Sequence, residues 1–200
     1  MSESHVVGVD TGHTGALRGA DHLLRAFAAE LGPDAAVSGC THHVRDGLRP
    51  HTALSFALPS ERAARALWQR LTLDGPGRSG DAPGVAFGDE RHGPGESAAG
   101  AALAAAEHAA RTGGRAVLYP GSGAVTGVLT VARLLEVCAV ERVAVLGSPE
   151  APSPETLLVT REHVRPEWRE GRLVLVAMPA AGGTLVPFEV PDPTPCCADH

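Results

Sequence analysis

The apolar positions of this chain change their spacing from one segment to the next, which predicts alternating strands and helices. A valine-rich run over 5–10 predicts a strand. Residues 18–31 carry large apolar side chains at helical spacing, and Gly32-Pro33 follows as a stop signal. Ser60 is placed to cap a second helix over 61–71. The other predicted strands cover 35–45, 51–58, 84–87, 115–119, 143–146 and 173–178, and two further helices cover 96–112 and the stretch from Gly127 to Val137.

The order of these elements predicts an α+β protein of two lobes. Strand–helix–strand–strand–helix over residues 1–75 is typical of a ferredoxin-like sandwich. Residues 76–180 are expected to form a second, small α/β lobe, and 181–200 a loose tail rich in proline and cysteine. The spacing predicts that one core in the first lobe contains Val7, Val9, Leu24, Phe27, Leu31 and Leu67.

Two glycine-rich turns each follow a predicted strand and precede a predicted helix. The first reads Asp10-Thr11-Gly12-His13, and the second spans Gly121–Gly127. Backbone N–H groups at such a turn can hold an anion or a metal-bound phosphate. We expect both turns to face one cleft, the first holding a metal and the second a phosphate or carboxylate. The alternative is that capping and close helix packing explain both turns.

The chain contains ten histidines, and three lie on two neighbouring predicted strands. Adjacent His42 and His43 point to opposite faces of a sheet, so only one of them can share a site with His51. A metal centre built from Asp10, His13 and one of these three is one hypothesis. Histidines that bond to the core or face solvent are the alternative.

The composition of the chain excludes some kinds of catalytic and phosphate-binding site. The 200 residues are 44% hydrophobic with a net charge of −6, and the sequence contains no lysine. A P-loop lysine and a Schiff-base lysine are therefore excluded, so a phosphate must be held by arginine, N–H groups, hydroxyls or a metal. No apolar run reaches the roughly 20 residues of a membrane span, and no secretory signal is visible, so we expect a cytoplasmic protein.

Cysteine is sparse, with four residues and no Cys-x-x-Cys spacing. A disulfide framework or a zinc ribbon is therefore not predicted. The terminal pair Cys196-Cys197 is compatible with binding of a soft metal or reaction with thiols, and equally with a terminus that has no role.

Several blocks of the sequence carry a family resemblance when they are taken in order. They are Gly8-Val9-Asp10, Arg18-Gly19 with Leu23 and Arg25, Thr41-His42 with Pro50-His51-Thr52, Asp81–Val85 and Gly121–Gly127. In this order they resemble the N-terminal catalytic region of the archaeal tRNA 2-agmatinylcytidine synthetase (TiaS) family and its small bacterial relatives. The acidic motif departs from the family pattern: Asp-Asp-Thr-Asp is replaced by Asp10-Thr11-Gly12-His13. Loss of two carboxylates shifts such a site from Mg²⁺ toward a softer metal or toward no metal.

The resemblance implies a nucleotide- or phosphate-dependent enzyme that acts on a small molecule, such as an ATP-dependent transferase or ligase. ATP and a divalent metal (Mg, Mn or Zn) would be its cofactors. The alternative is a non-catalytic TiaS-like protein that binds a nucleotide, a metal or a protein partner. A small-molecule substrate or a nucleotide is the expected partner, neither tRNA nor a membrane is expected, and a homodimer stays open.

The predicted site residues follow from the turns and the resemblance. Asp10 and His13 are the predicted metal ligands. Asp10, His13 and Arg18 are the predicted catalytic residues, with Arg18 stabilising phosphate charge and His13 or His42 acting as base or ligand. The predicted ligand-binding residues are Thr11, Gly12, Gly19, Thr41, His42, His51, Gly121, Ser122 and Gly123.

Overall fold

A computed structural model of the protein describes residues 5–12, 17–31, 38–45, 50–73 and 82–190. These residues form a mixed α/β fold of mostly antiparallel strands with four α-helices. In chain order the elements are β1 (His5–Asp10), α1 (Leu17–Leu31), β2 (Ser38–Val44), β3 (His51–Leu58), α2 (Glu61–Leu73), β4 (Gly84–Phe87), β5 (Glu90–His92), α3 (Gly95–Ala110), β6 (Arg115–Leu118), β7 (Val128–Thr130), α4 (Val131–Val137), β8 (Arg142–Val145), β9 (Leu157–Val159), β10 (Glu167–Arg169), β11 (Arg172–Ala180) and β12 (Thr184–Pro187).

The chain divides into two compact units. The first unit contains Met1–Pro120 and Glu167–Gly171, and the second contains Gly121–Pro166 and Arg172–His200. Within the described residues, the sheet of the first unit has the strand order β5-β4-β1-β3-β2-β6-β10, and its pairings are antiparallel. Because side chains alternate along a strand, this register sorts the strand residues onto two faces.

One face of this sheet, which we call the apolar face, packs against α1 and α2. Val7 lies opposite Phe56, and Val9 lies between Leu54 and Val85, so their side chains share this face. The predicted core of the first lobe is confirmed: four of its six members are buried there, and Phe27 and Leu31 pack against them. Phe27 meets the buried Phe56 edge-on, with ring centroids 6.3 Å apart.

The opposite face, which we call the polar face, carries small and polar side chains under α3. A Cβ added at Gly8 would lie 1.9 Å from the backbone oxygen of Ala101, and one added at Gly84 would lie 2.0 Å from the carbonyl carbon of Ser97. The helix therefore lies on the strands at a distance that only glycine allows at these two positions. This close packing explains why α3 is built largely from alanine.

Among the described residues of the second unit, the strands β8, β11, β12, β9 and β7 are adjacent in that order. β8 runs parallel to β11 and β9 runs parallel to β12, while the other two pairings are antiparallel. Thr130 caps α4, since its hydroxyl accepts a hydrogen bond from the Arg133 backbone N–H at 3.1 Å.

The structure differs from the predicted organisation at several points. The predicted division at residue 75 is replaced by the one above, because β4 and β6 pair with the first sheet and α3 packs on its polar face. Gly127 leads into β7, and only then into α4. Thr184–Pro187, predicted to be loose, forms β12 because it pairs with β11 and β9. No helix among the described ranges is long and apolar enough to cross a membrane.

Candidate metal centre

A row of polar side chains follows β2 on the polar face of the first unit. Ser38, Cys40 and His42 are two residues apart, so all three point to the same side of the strand. Ser55 joins them from β3, because the register places it opposite Cys40. All four residues are buried, with Cys40 and Ser55 completely enclosed and His42 only 2% exposed.

The helix α3 adds His108 to this row. The His108 Nε2 atom lies 3.0 Å from the Ser38 hydroxyl and 3.8 Å from the Cys40 sulfur. The other ring nitrogen, Nδ1, lies 2.8 Å from the Ser55 hydroxyl. His108 is itself 3% exposed, so the helix buries an imidazole directly against the strand.

Glu107 sets the direction of the hydrogen bonds around His42. The Glu107 carboxylate lies 2.7 Å from His42 Nδ1, and this hydrogen bond is the main reason that the pKa of Glu107 is lowered. An ionised carboxylate only accepts, so His42 Nδ1 donates to it. The other nitrogen of a neutral His42, Nε2, then accepts from the Ser55 hydroxyl at 2.8 Å.

Burial keeps the His108 imidazole and the Cys40 thiol uncharged. It lowers the pKa of His108 to about 3, and the nearby His42 and Arg111 add to the effect. Burial also raises the pKa of the Cys40 thiol to about 12. At neutral pH the His108 imidazole is therefore neutral and the Cys40 thiol is protonated. Both groups bind a metal once the thiol proton is displaced.

Cys40, His42 and His108, which we call the Cys40 cluster, can hold a metal ion. One ligand atom from each lies within 4.8 Å of the other two, and the three side chains are buried. A carboxylate that orients a metal-binding histidine is a common outer partner in such sites, and Glu107 stands in that position behind His42.

Gly114 makes room for the cluster. It adopts φ +106°, and a Cβ at this position would lie 2.5 Å from His42 Cε1 and 3.2 Å from Cys40 Cβ. A side chain here would be strained by the backbone conformation and would displace His42. Gly114, which lies between α3 and β6, thus shapes the site.

The Glu107–His42–Ser55 arrangement also has the residue order of a hydrolase triad, acid to imidazole to hydroxyl. Ser55 has no exposed surface, however, and its hydroxyl is hydrogen bonded to imidazoles on both sides. A substrate carbonyl has no approach to this hydroxyl. The geometry therefore favours a buried polar network or a metal centre over an attacking serine.

Two of the predicted site residues come together on the same face. Asp10 is completely buried at the end of β1, where it accepts from the Gly12 backbone N–H at 2.7 Å and lies 2.8 Å from His51 Nε2. The predicted partition of the histidines is confirmed as well: His42 is buried on the polar face with His51, whereas His43 is exposed.

Other predicted residues lie apart from this pair. Thr41 faces the opposite side of β2, where its hydroxyl contacts the Arg115 backbone oxygen at 3.4 Å, because neighbours on a strand alternate. Arg18 and Gly19 are exposed in the first turn of α1, and Thr11 is half-buried after β1. His13 and the Cys196-Cys197 pair lie outside the described residues, so the predicted Asp10–His13 metal site stays a prediction.

The second glycine-rich turn belongs to the second unit. Gly121 adopts φ +79°, and a Cβ there would lie 2.1 Å from the Val137 backbone oxygen, so close packing alone requires this glycine. Ser122 and Gly123 form a short 3-10 turn, and Gly123 has open space around it. Asp10 and this turn fall in different units, and their shared cleft stays a prediction.

Sequence reasoning missed Cys40, Ser55, Glu107 and His108. Two signals for them are present in the chain. Ser38-Gly-Cys40-Thr-His42 alternates polar side chains within a strand that should be buried, and Glu107-His108 interrupts a helix of small apolar residues. Which of these groups meet is set by packing of α3 on the sheet, and spacing along the chain does not contain that information.

Comparisons of the chain with family models, curated proteins and solved structures find no match. The resemblance to the TiaS family therefore stays a prediction that rests on the motifs quoted above.

Proposed function

We propose that the first unit binds a single transition-metal ion through Cys40, His42 and His108. The observation that carries this proposal is the convergence of one sulfur and two imidazoles in a buried cluster, with ligand atoms within 4.8 Å of each other. The Glu107 carboxylate behind His42 supports it further, because it leaves the Nε2 atom of His42 to face the cluster.

The donor set favours Zn²⁺ among the expected metals. Thiolate and imidazole are ligands of zinc and copper, whereas Mg²⁺ and Mn²⁺ prefer oxygen donors. A Cys/His/His set supplies no carboxylate in direct contact with the ion. We therefore assign the cluster to Zn²⁺ and do not assign Mg²⁺ to it.

The proposed role of this metal is to tie α3 to the sheet. Two ligands come from β2 and one from α3, so the ion would link the helix to the strand beneath it. Each ligand is at most 3% exposed, which leaves no open side for a substrate. Three protein ligands leave one position of a tetrahedral ion for a buried water molecule. An ion held in this way stabilises the fold, and an ion present at about a thousand times its Kd adds roughly 4 kcal/mol.

Cobalt substitution tests the proposal. The parent protein for this test carries Cys196→Ser and Cys197→Ser, so that the terminal thiols do not bind the probe. Co²⁺ added to the metal-free parent should produce sulfur-to-metal charge-transfer absorption together with the visible bands of a tetrahedral ion, and Zn²⁺ should displace it with a stoichiometry near one.

Variants at the two remaining cysteines give the matched control. Cys40→Ser should abolish the charge-transfer absorption, whereas Cys138→Ser, at a half-buried thiol of the second unit, should leave it unchanged. A parent protein that is folded, as circular dichroism reports, but gives no charge-transfer absorption with Co²⁺ would overturn the proposal. Equal loss in both variants would overturn it as well.

We also propose that the first unit is built on a ferredoxin-like lobe. The antiparallel order β4-β1-β3-β2 and the packing of α1 and α2 against one apolar cluster support this assignment. β5, β6 and β10 would then be additions to the edges of that lobe, and α3 an addition to its other face.

The nucleotide- or phosphate-dependent activity is a second proposal, favoured by the hydrogen bond between Asp10 and His51. An aspartate that orients an imidazole is a common arrangement of a general base. ATP with Mg²⁺ or Mn²⁺ should raise the melting temperature of the parent, and Asp10→Asn should remove the increase. If the parent shows no increase, the second proposal fails and the metal proposal is untouched.

A further inference from the structure

Trp168 carries a buried polar atom that lacks a partner. Among the described residues, its indole Nε1 is the buried side-chain nitrogen or oxygen for which no hydrogen bond is found. Buried N–H groups are almost always paired, so an orphan of this kind calls for an explanation. The residue lies in β10, a three-residue strand that pairs with β6 in the first unit.

The surroundings of Trp168 place it against the Cys40 cluster. The Trp168 backbone N–H donates to the Gly114 carbonyl at 3.0 Å, and Gly114 is the residue that makes room for His42 and Cys40. The indole ring lies 6.4 Å from the His108 ring, centroid to centroid. The Arg111 guanidinium sits 4.9 Å from the centroid of the indole ring.

The indole also lies near the Cys40 thiol, since its ring is next to that of His108 and His108 Nε2 lies 3.8 Å from the sulfur. Burial dominates the pKa of this thiol and raises it, while the side chain of Trp168 acts in the opposite direction and favours the thiolate. Nevertheless, Nε1 makes no hydrogen bond of ordinary geometry to the sulfur. A neutral thiol is a weak acceptor, which agrees with an N–H group that is near the sulfur and still unpaired.

We propose that Trp168 is a positioning residue of the metal centre, whose Nε1–H donates a hydrogen bond to the Cys40 thiolate when the metal is bound. This inference rests on the proposed metal function and names a further residue of the same site. Metal binding displaces the Sγ proton to solvent and leaves a metal-bound thiolate. Such a sulfur is a charged acceptor, and hydrogen bonds to charged acceptors are the strong ones.

The hydrogen bond has two expected consequences. It lowers the energy of the sulfur lone pair, which moves the charge-transfer absorption to shorter wavelength. It also stabilises the loaded site over the empty one, because the indole N–H gains an acceptor only on loading. Outer partners of this kind commonly change metal affinity by roughly 10- to 100-fold.

The test compares the two tryptophans of the chain. In the parent lacking the terminal thiols, Trp168→Phe should weaken Co²⁺ binding by roughly 10-fold or more and shift the charge-transfer band to longer wavelength. Trp68→Phe is the matched control, since Trp68 lies in α2 and packs against the apolar core. It should change neither the affinity nor the band.

A second measurement does not depend on the folding of the Trp168 variant. Trp68→Phe leaves Trp168 as the only tryptophan, so its Nε1–H gives a single indole cross-peak in a ¹⁵N–¹H spectrum. Zn²⁺ should move the proton of this cross-peak downfield, as a new hydrogen bond requires. Mg²⁺, which prefers oxygen donors, serves as the control addition and should leave the peak in place.

The outcomes separate the two proposals. If the parent does not bind Co²⁺, the metal function and this inference fall together. If the parent binds Co²⁺ while the indole proton does not move with Zn²⁺, the role of Trp168 is overturned and the metal function stands. The role of Trp168 is also overturned if Trp168→Phe binds Co²⁺ with the affinity and the charge-transfer band of the parent.

Discussion

The two faces of the sheet in the first unit bury different kinds of side chain. The apolar face buries large side chains, among them Phe56 and Leu54, under α1 and α2. The polar face buries glycine, alanine, serine and histidine under α3, and Cys40 and His108 meet there. Both faces are closed to solvent, although only one of them uses the hydrophobic effect as its main source of stability.

This difference shows how a domain makes space for chemistry in its interior. Large apolar side chains hold a helix away from a sheet and fill the gap between them with hydrocarbon. Glycines at positions 8 and 84 let α3 come closer, so short polar side chains reach across the interface and bond to each other. The apolar face stabilises the lobe, and the polar face positions functional groups.

The largest expected effect is on the apolar face. Phe56→Ala should lower the free energy of unfolding by about 3–5 kcal/mol, because it removes a completely buried aromatic ring. Denaturant titration measures this loss. Phe188→Ala, at a residue that is 54% exposed in the second unit, is the control and should cost far less. A loss of Co²⁺ affinity in folded Phe56→Ala would show that the two faces are not independent.

On the polar face, acid should destabilise the metal-free protein through His108. The pKa of His108 is lowered to about 3 in the folded state, against 6.5 when unfolded, so below pH 6.5 the unfolded state binds the extra proton. Stability is therefore complete above pH 6.5 and falls as the pH drops toward 3. About 3 kcal/mol should be lost between pH 7 and pH 4 from this group.

Denaturant titrations at several pH values measure that loss. In His108→Gln the slope of stability against pH below 6.5 should be shallower by up to one proton. His92→Gln, at an exposed residue of β5, should keep the slope of the parent. An unchanged slope in His108→Gln would contradict the prediction.

A single methyl group added to β1 tests how closely α3 packs against this strand. Gly8→Ala should cost about 1–3 kcal/mol, because the new Cβ would lie 1.9 Å from the Ala101 backbone oxygen and the helix has to shift. Gly95→Ala, at the first residue of α3, is the control, because a Cβ there has nothing within 4 Å. It should be neutral or slightly stabilising. Thermal melting distinguishes the two, and equal effects would rule out tight packing as the reason for Gly8.

The smallest effect is expected at the edge of the polar network. Glu107→Gln keeps an acceptor for His42 and removes the charge, so about 1 kcal/mol of stability should be lost, since the carboxylate is one-third exposed. Glu155→Gln, at an exposed residue of the second unit, is the control and should have almost no effect on stability. If the two substitutions have the same effect, Glu107 does not act on the cluster.

The sequence was most informative where local spacing and burial agree. Leu24 and Leu67 recur at helical spacing, and Val7 and Val9 alternate along a strand, so the apolar core could be predicted. The strand over 84–87 was predicted as well, but its place beside β1 was not, because a short apolar run does not say which strand it pairs with.

The sequence by itself determined strands β1–β4 and β6 and helices α1–α3 of the first unit, its apolar core and the sorting of His42 and His43 to opposite faces. Those properties follow from the side-chain periods of 2 residues in a strand and 3.6 residues in a helix, and both periods can be recognised in the order of the residues. Only the tertiary structure decided that His108 in α3 meets Cys40 and His42 in β2, across more than sixty positions of sequence. Such a meeting depends on how closely two surfaces pack, and here that distance is set by glycines in the strands rather than by the ligands themselves.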